Sequence, residues 1–93
     1  GVNHKTVLNC VLEHHERIDG SGYPFKYHHK QLSLHGKICS VVDSFAAMIS
    51  KRPHANAVPP LKAARILASE TNKYDSQIVA VLIKLLQNNN FLD

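Results

Sequence analysis

Apolar positions recur along this chain with helical spacing and nowhere with the strict alternation of a strand. Between Lys5 and Arg17, Val7, Leu8, Val11 and Leu12 stand at i, i+1, i+4 and i+5, one face of a helix. The regularity stops at Gly20 and Gly22, and the stretch IDGSGYP, with two glycines and a proline, reads as a defined loop. Tyr27 to His35 is polar and histidine-rich, a loop or short turn anchored by Leu32 and Leu34. Gly36 to Ser50 is the clearest helix, with Ile38, Val41, Val42, Phe45, Met48 and Ile49 in register and Pro53 stopping it. Pro59 and Pro60 open a third helix whose apolar face holds Leu61, Ala64, Ile66 and Leu67. Asp75 or Ser76 caps a fourth, apolar at Ile78, Val79, Val81, Leu82, Ile83, Leu85 and Leu86 and ended by the asparagines from Asn88 to Asn90. The expectation is an all-α helical bundle with essentially no sheet. The last helix is apolar on nearly every side and wants cover on every side, which points to part of a larger helical domain.

Composition narrows the class. Ninety-three residues make one small domain, and 44% apolar with 19% charged residues exclude a disordered chain. No apolar run approaches the roughly 18 residues that a membrane span needs. The opening GVNHKTVLNC lacks a basic-then-apolar signal pattern. The expected setting is the cytoplasm, without a membrane partner. Eleven Lys and Arg against seven Asp and Glu give +4, which raises nucleic acid or an anionic ligand as a partner. The charges are scattered, with Lys26 to Lys30 the longest basic patch, and this argues against nucleic acid. Two cysteines make no disulfide framework; Cys10 and Cys39 lie in apolar helical patterns and read as buried thiols in a reducing compartment. Seven histidines direct attention to a metal.

Three segments carry candidate chemistry. In Glu13-His14-His15-Glu16, adjacent histidines on a helix point about 100° apart. They could serve two neighbouring ions, or reach one through a distorted helix end; two surface histidines are the plainer reading. In Asp19-Gly20-Ser21-Gly22-Tyr23-Pro24, the glycines permit close backbone approach and successive amides can hold an anion, with the Tyr23 hydroxyl at the tip. An ordinary turn between helices is the alternative. Asp43 falls on an apolar helical face among Ile38, Val42, Phe45 and Ala46, and a buried carboxylate must be paired or bind a metal. Arg52, just before Pro53, suits bidentate phosphate recognition, or is a solvated helix terminus.

His14-His15-Glu16 followed by Asp19-Gly20-Ser21-Gly22-Tyr23-Pro24 resembles the HHExxDGxGYP signature of HD-GYP domains. The resemblance runs on through Val41-Val42-Asp43 to Ser50, Arg52 and Pro53, and reaches Asp75, so it covers nearly the whole chain. It implies an all-helical member of the HD superfamily and a bacterial cyclic di-GMP phosphodiesterase with a bi- or trinuclear iron or manganese centre; some members cleave cyclic GMP-AMP. By the same resemblance His14, His15 and Asp43 are metal ligands. Gly22, Tyr23 and Arg52 lie at the substrate, and Glu16, Asp19, Gly20 and Pro24 support the loop and ligands.

Departures from the pattern qualify that reading. The family's HD dyad, its following lysine and a further histidine should precede residue 1, so residues 1–93 are expected to be the C-terminal part of an HD-GYP domain with an incomplete ligand set. Ala46, His54 and Ala55 replace an aspartate, a tyrosine and a basic residue, and Ser33 and His35 alter the approach to the long helix. Three ligands shared between two ions leave each short of about six, so the 93 residues alone should show little or no phosphodiesterase activity. A degenerate, non-catalytic module that binds a nucleotide or signalling partner is the alternative. The resemblance further implies a cyclic dinucleotide as partner and a regulatory sensor domain in the parent protein. Apolar surface left by missing helices predicts self-association.

Overall fold

The computed structural model describes residues 3–89. Four helices follow in order: α1 (His4–Glu13), α2 (Leu34–Ile49), α3 (Pro60–Ser69) and α4 (Ser76–Asn88). Among the described residues there is no strand, only two isolated bridges, Asp19 with His28 and Arg52 with Ala55. No helix among them is long and apolar enough to cross a membrane.

Three of the four helices start where a side chain meets their free amides. Asn3 accepts from the Thr6 amide at 2.9 Å, and Ser33 Oγ from the Gly36 amide at 3.0 Å. Pro59 and Pro60 begin α3, where a missing N–H costs nothing. Asp75 Oδ1 accepts from the amides of Gln77 and Ile78 at 3.0 and 3.2 Å.

The core lies where α2, α3 and α4 meet. Val41, Leu67, Tyr74 and Val79 are buried there, flanked by Phe45, Met48, Ile78, Leu82 and Ile83. By contrast α1 packs against α2 and no other helix. Its apolar stripe, Val7, Leu8, Val11 and Leu12, is exposed, so burial of hydrocarbon does little to hold it down.

Two expectations need correction. First, α1 ends at Glu13 rather than running on to Arg17, because the side chains that follow turn inward instead of outward. Glu13 and Glu16 are both buried, their carboxyls accepting amides from later segments. Second, Cys10 and Cys39 are not buried thiols. Packing of α1 on α2 brings their Cα atoms to 5.4 Å and the sulfurs are bonded as a disulfide; both residues are partly exposed.

The α4 cap supplies a test of local energetics. The Asp75 carboxyl meets His29 Nε2 at 2.9 Å, and this bond, followed by the Ile78 and Gln77 amides, holds its pKa below the ordinary 3.8. A folded-state pKa below the unfolded one adds stability that is complete above the unfolded value and is lost as pH falls through the folded one. Asp75→Ala is therefore expected to cost about 1 kcal/mol near neutrality. That gap should narrow as pH falls below the ordinary carboxylate range and the Asp75 carboxyl takes up its proton, as read from urea midpoints of both proteins. A gap that persists in acid would contradict the ionised cap.

Candidate metal centre

The end of α1 and the middle of α2 build one small site. On α2, Gly36, Ser40 and Ser44 form one row at i, i+4, i+8; Gly36 meets the last residue of α1, and Ser40 and Ser44 meet the segment that follows it. A Cβ at Gly36 would overlap the Glu13 side chain, so glycine lets the end of α1 come down onto α2. Glu13 Oε1 then accepts from Ser33 N at 2.8 Å and Ser33 Oγ at 3.1 Å, which ties the end of α1 to the start of α2. Ser40 Oγ donates to the Glu16 carbonyl at 2.9 Å.

Arg17 completes the join. Its guanidinium donates to the carbonyls of Glu16 (2.8 Å) and His14 (3.4 Å) and to Ser40 Oγ (3.1 Å) and Ser44 Oγ (3.3 Å), and lies 5.0 Å from the Tyr74 ring centre. The turn holding the two histidines is thus fastened to α2 by a planar cation with several donors in one fork. Neither Arg17 nor Ser40, Ser44 or Glu13 stands out in the sequence as a site-building residue. Their partners across the join lie twenty or more residues away, and only Arg17 beside the histidine pair offered any signal.

The last helical backbone hydrogen bond of α1 runs from the His14 amide to the Cys10 carbonyl at 3.1 Å. His14 is the C-cap and His15 lies in the turn beyond it. One ligand atom each of His14, His15 and Asp43 lie within 4.8 Å of one another, a candidate site for a single ion. His14 Nδ1 faces the carbonyls of Val11 (2.8 Å) and Cys10 (3.3 Å). A proton on Nδ1 serves those carbonyls and leaves Nε2 with a free lone pair, the arrangement common to metal-ligating histidines. Asp43 was expected to be buried. It is exposed, because its sector of α2 faces outward beside the α1 terminus and carries the equally exposed Val42.

The glycine loop folds back over this turn. A Cβ at Gly22 would stand 2.6 Å from Arg17 N and from Glu16 Cα, and closer still to His15 O. Only a residue without a side chain fits there. The close approach lets the Tyr23 amide donate to the His15 carbonyl at 3.2 Å and stacks the Tyr23 ring on His15 at 4.7 Å between centres. Glu16, fully buried, accepts the amides of Phe25 at 2.7 Å and Tyr27 at 2.6 Å. Gly20 sits at φ +81° and the Tyr23–Pro24 bond is cis. Asp19 accepts from the Ser21 amide at 2.9 Å and from Asn72 Nδ2 at 3.2 Å, and the Ser21 hydrogen bonds lower its pKa. Beside His15, a cavity of about 250 Å³ opens between Tyr23, Lys73 and Tyr74. Arg52 stands apart, exposed after α2, with its backbone paired to Ala55.

Two imidazoles and a carboxylate are a donor set that suits a divalent transition metal, and the carbonyls behind His14 supply its outer support. The set fits such an ion while filling only part of its coordination. Comparison with known proteins gives the same direction. The HD domain family matches residues 3–78. The chain is 43% identical over 76 residues to a cyclic di-GMP phosphodiesterase of Thermotoga maritima, 81% of this chain and 21% of that protein. It is 36% identical over 78 residues to a cyclic di-GMP phosphodiesterase of Pseudomonas aeruginosa, 84% of this chain and 19% of that protein. It is 34% identical over 83 residues to a 3'3'-cGAMP-specific phosphodiesterase of Vibrio cholerae, 88% of this chain and 18% of that protein. The chain thus spans about a fifth of the length of these relatives. No solved structure matches it significantly. A family match across most of the chain, together with these identities, makes the chain a member of the HD domain family, of the HD-GYP type.

Proposed function

We propose that this chain is the C-terminal part of a metal-dependent phosphodiesterase that hydrolyses cyclic di-GMP, or the related cyclic GMP-AMP, in bacterial signalling. The convergence of His14, His15 and Asp43 within 4.8 Å carries the reading, and the names of the relatives supply the substrate class. These three residues would hold iron or manganese together with ligands from outside the chain. A bound divalent ion supplies an acidified water and neutralises charge on the phosphodiester. The chain's own part is to fix two imidazoles by the Arg17 fork and the Cys10 and Val11 carbonyls. Tyr23 walls the adjoining cavity, whose Lys73 suits an anionic ligand. The proposed setting is the cytoplasm, where the cyclic dinucleotide would be met.

The test is the full-length protein that carries this chain, loaded with Mn2+ or Fe2+ and given cyclic di-GMP or 3'3'-cyclic GMP-AMP. Linear dinucleotide resolved by chromatography is expected, with turnover abolished in His15→Ala. Absence of hydrolysis in the metal-loaded protein, or equal turnover in the variant, would contradict the assignment. The 93 residues alone are expected to show little or none.

A further inference from the structure

We infer that the Cys10–Cys39 disulfide is a positioning element for the metal ligands, so that the site grips a divalent cation more tightly with the bond closed than open. The inference rests on the metal reading of His14, His15 and Asp43. Cys10 precedes His14 by four residues on α1, and Cys39 precedes Asp43 by four on α2. The bond therefore joins the two ligand-bearing helices one turn from the ligands on both sides. Its effect on the site is direct, because the Cys10 carbonyl is itself a partner of His14 Nδ1.

α1 packs closely on α2, and the disulfide is the covalent tie between them upstream of Glu13. The helix touches no other helix, and its four large apolar side chains lie in solvent. The remaining ties, from Glu13 to Ser33 and from Arg17 to Ser40 and Ser44, act at its C-terminal end and beyond. With the bond open, the body of α1 can pivot about that anchored end, which shifts the Cys10 and Val11 carbonyls relative to His14 and lets its imidazole turn away from Asp43.

Both cysteines are partly exposed, so a small thiol can reach them. Opening by a low-molecular-weight monothiol consumes two RSH and releases one RSSR. The S–S bond breaks, the two electrons come from the reagent's sulfurs, and the two protons end on Sγ of Cys10 and Sγ of Cys39. Closing by a low-molecular-weight disulfide is the reverse. In a reducing compartment the open form is favoured, and oxidation would tighten the site.

The experiment titrates Mn2+ into the 93-residue chain and follows free Mn2+ by electron paramagnetic resonance. Three forms are compared: oxidised; reduced and freed of reductant without air; and Cys10→Ala/Cys39→Ala. Circular dichroism at the same temperature records whether each stays helical. The oxidised form is expected to bind about tenfold or more tightly than the other two, and oxidised glutathione should restore the reduced chain but leave the double variant unchanged. Equal affinity in all three helical forms overturns the inference alone. No binding by the oxidised chain, or undiminished binding by its His14→Ala variant, overturns the metal reading and this inference with it. Should opening the bond unfold the chain, the comparison is repeated in trimethylamine N-oxide, which favours the compact state. Weak binding by the refolded open form upholds the inference, and affinity equal to the oxidised form overturns it.

Discussion

Glu16→Ala is expected to destabilise the domain by about 4 kcal/mol, judged from two lost charge-assisted hydrogen bonds at about 1.5–3 kcal/mol each. Glu16 is fully buried, and its two oxygens take the amides of Phe25 and Tyr27 at 2.7 and 2.6 Å. Alanine leaves both donors without a partner and opens a void where a whole side chain was packed. A domain of this size holds roughly 5–14 kcal/mol in total, so the loss is a large share of what exists. Glu16→Gln keeps the shape and one acceptor but turns an amide NH2 toward a donor, and should lose about half as much. Urea midpoints at constant slope measure both. A loss below about 1 kcal/mol for the alanine variant would show that the loop is held by something other than this carboxyl.

The consequence reaches the site. The same loop carries Gly22 onto the backbone of His15 to Arg17 and lays Tyr23 against the His15 ring. When the Glu16 anchor goes, the Tyr23 stack is released, and His15 loses the neighbour that limits its rotation.

The helices were legible because their apolar residues repeat at helical spacing and their ends carry local signals. Pro59–Pro60 and Asp75 mark the starts of α3 and α4 in the structure as in the sequence. Local pattern could not show where α1 stops. Glu13-His14-His15-Glu16-Arg17 has the polarity of a solvent-facing turn of helix, and only the later segments that present Ser33, Phe25 and Tyr27 amides draw the two glutamates inward. The disulfide escaped for a similar reason. Cys10 and Cys39 each look like a small apolar residue on a helix, and their meeting across 29 positions is a property of how α1 crosses α2.

In the candidate site, residue identity came from the signature and geometry from the fold. His14, His15 and Asp43 could be singled out from residue types alone, but the apolar neighbours of Asp43 in sequence made it look buried. Its side of α2 is open, as the exposed Ile38 and Val42 show. Arg17 was hidden because its worth lies in contacts with Ser40 and Ser44, which no short-range pattern announces.

The other large effect concerns the metal. A histidine or carboxylate ligand cannot be replaced by alanine without removing a donor atom, and with three donors in the cluster each loss removes a third of what the chain offers. Even groups that merely support a ligand change affinity by about 10–100-fold, so loss of a ligand itself should exceed that. His14→Ala also leaves the Val11 and Cys10 carbonyls without their ring partner, though both lie near water and the fold should survive. Asp43→Ala removes an exposed side chain that supports no packing, so its effect reports on the metal alone.

The decisive measurement is therefore metal content by elemental analysis, after anaerobic incubation of the oxidised chain with Mn2+ or Fe2+ and desalting, beside His14→Ala and Asp43→Ala. Retention by the unaltered chain with loss in both folded variants is the predicted result. Retention by the variants equal to that of the unaltered chain, or none in any of the three, would contradict a metal site built from these residues.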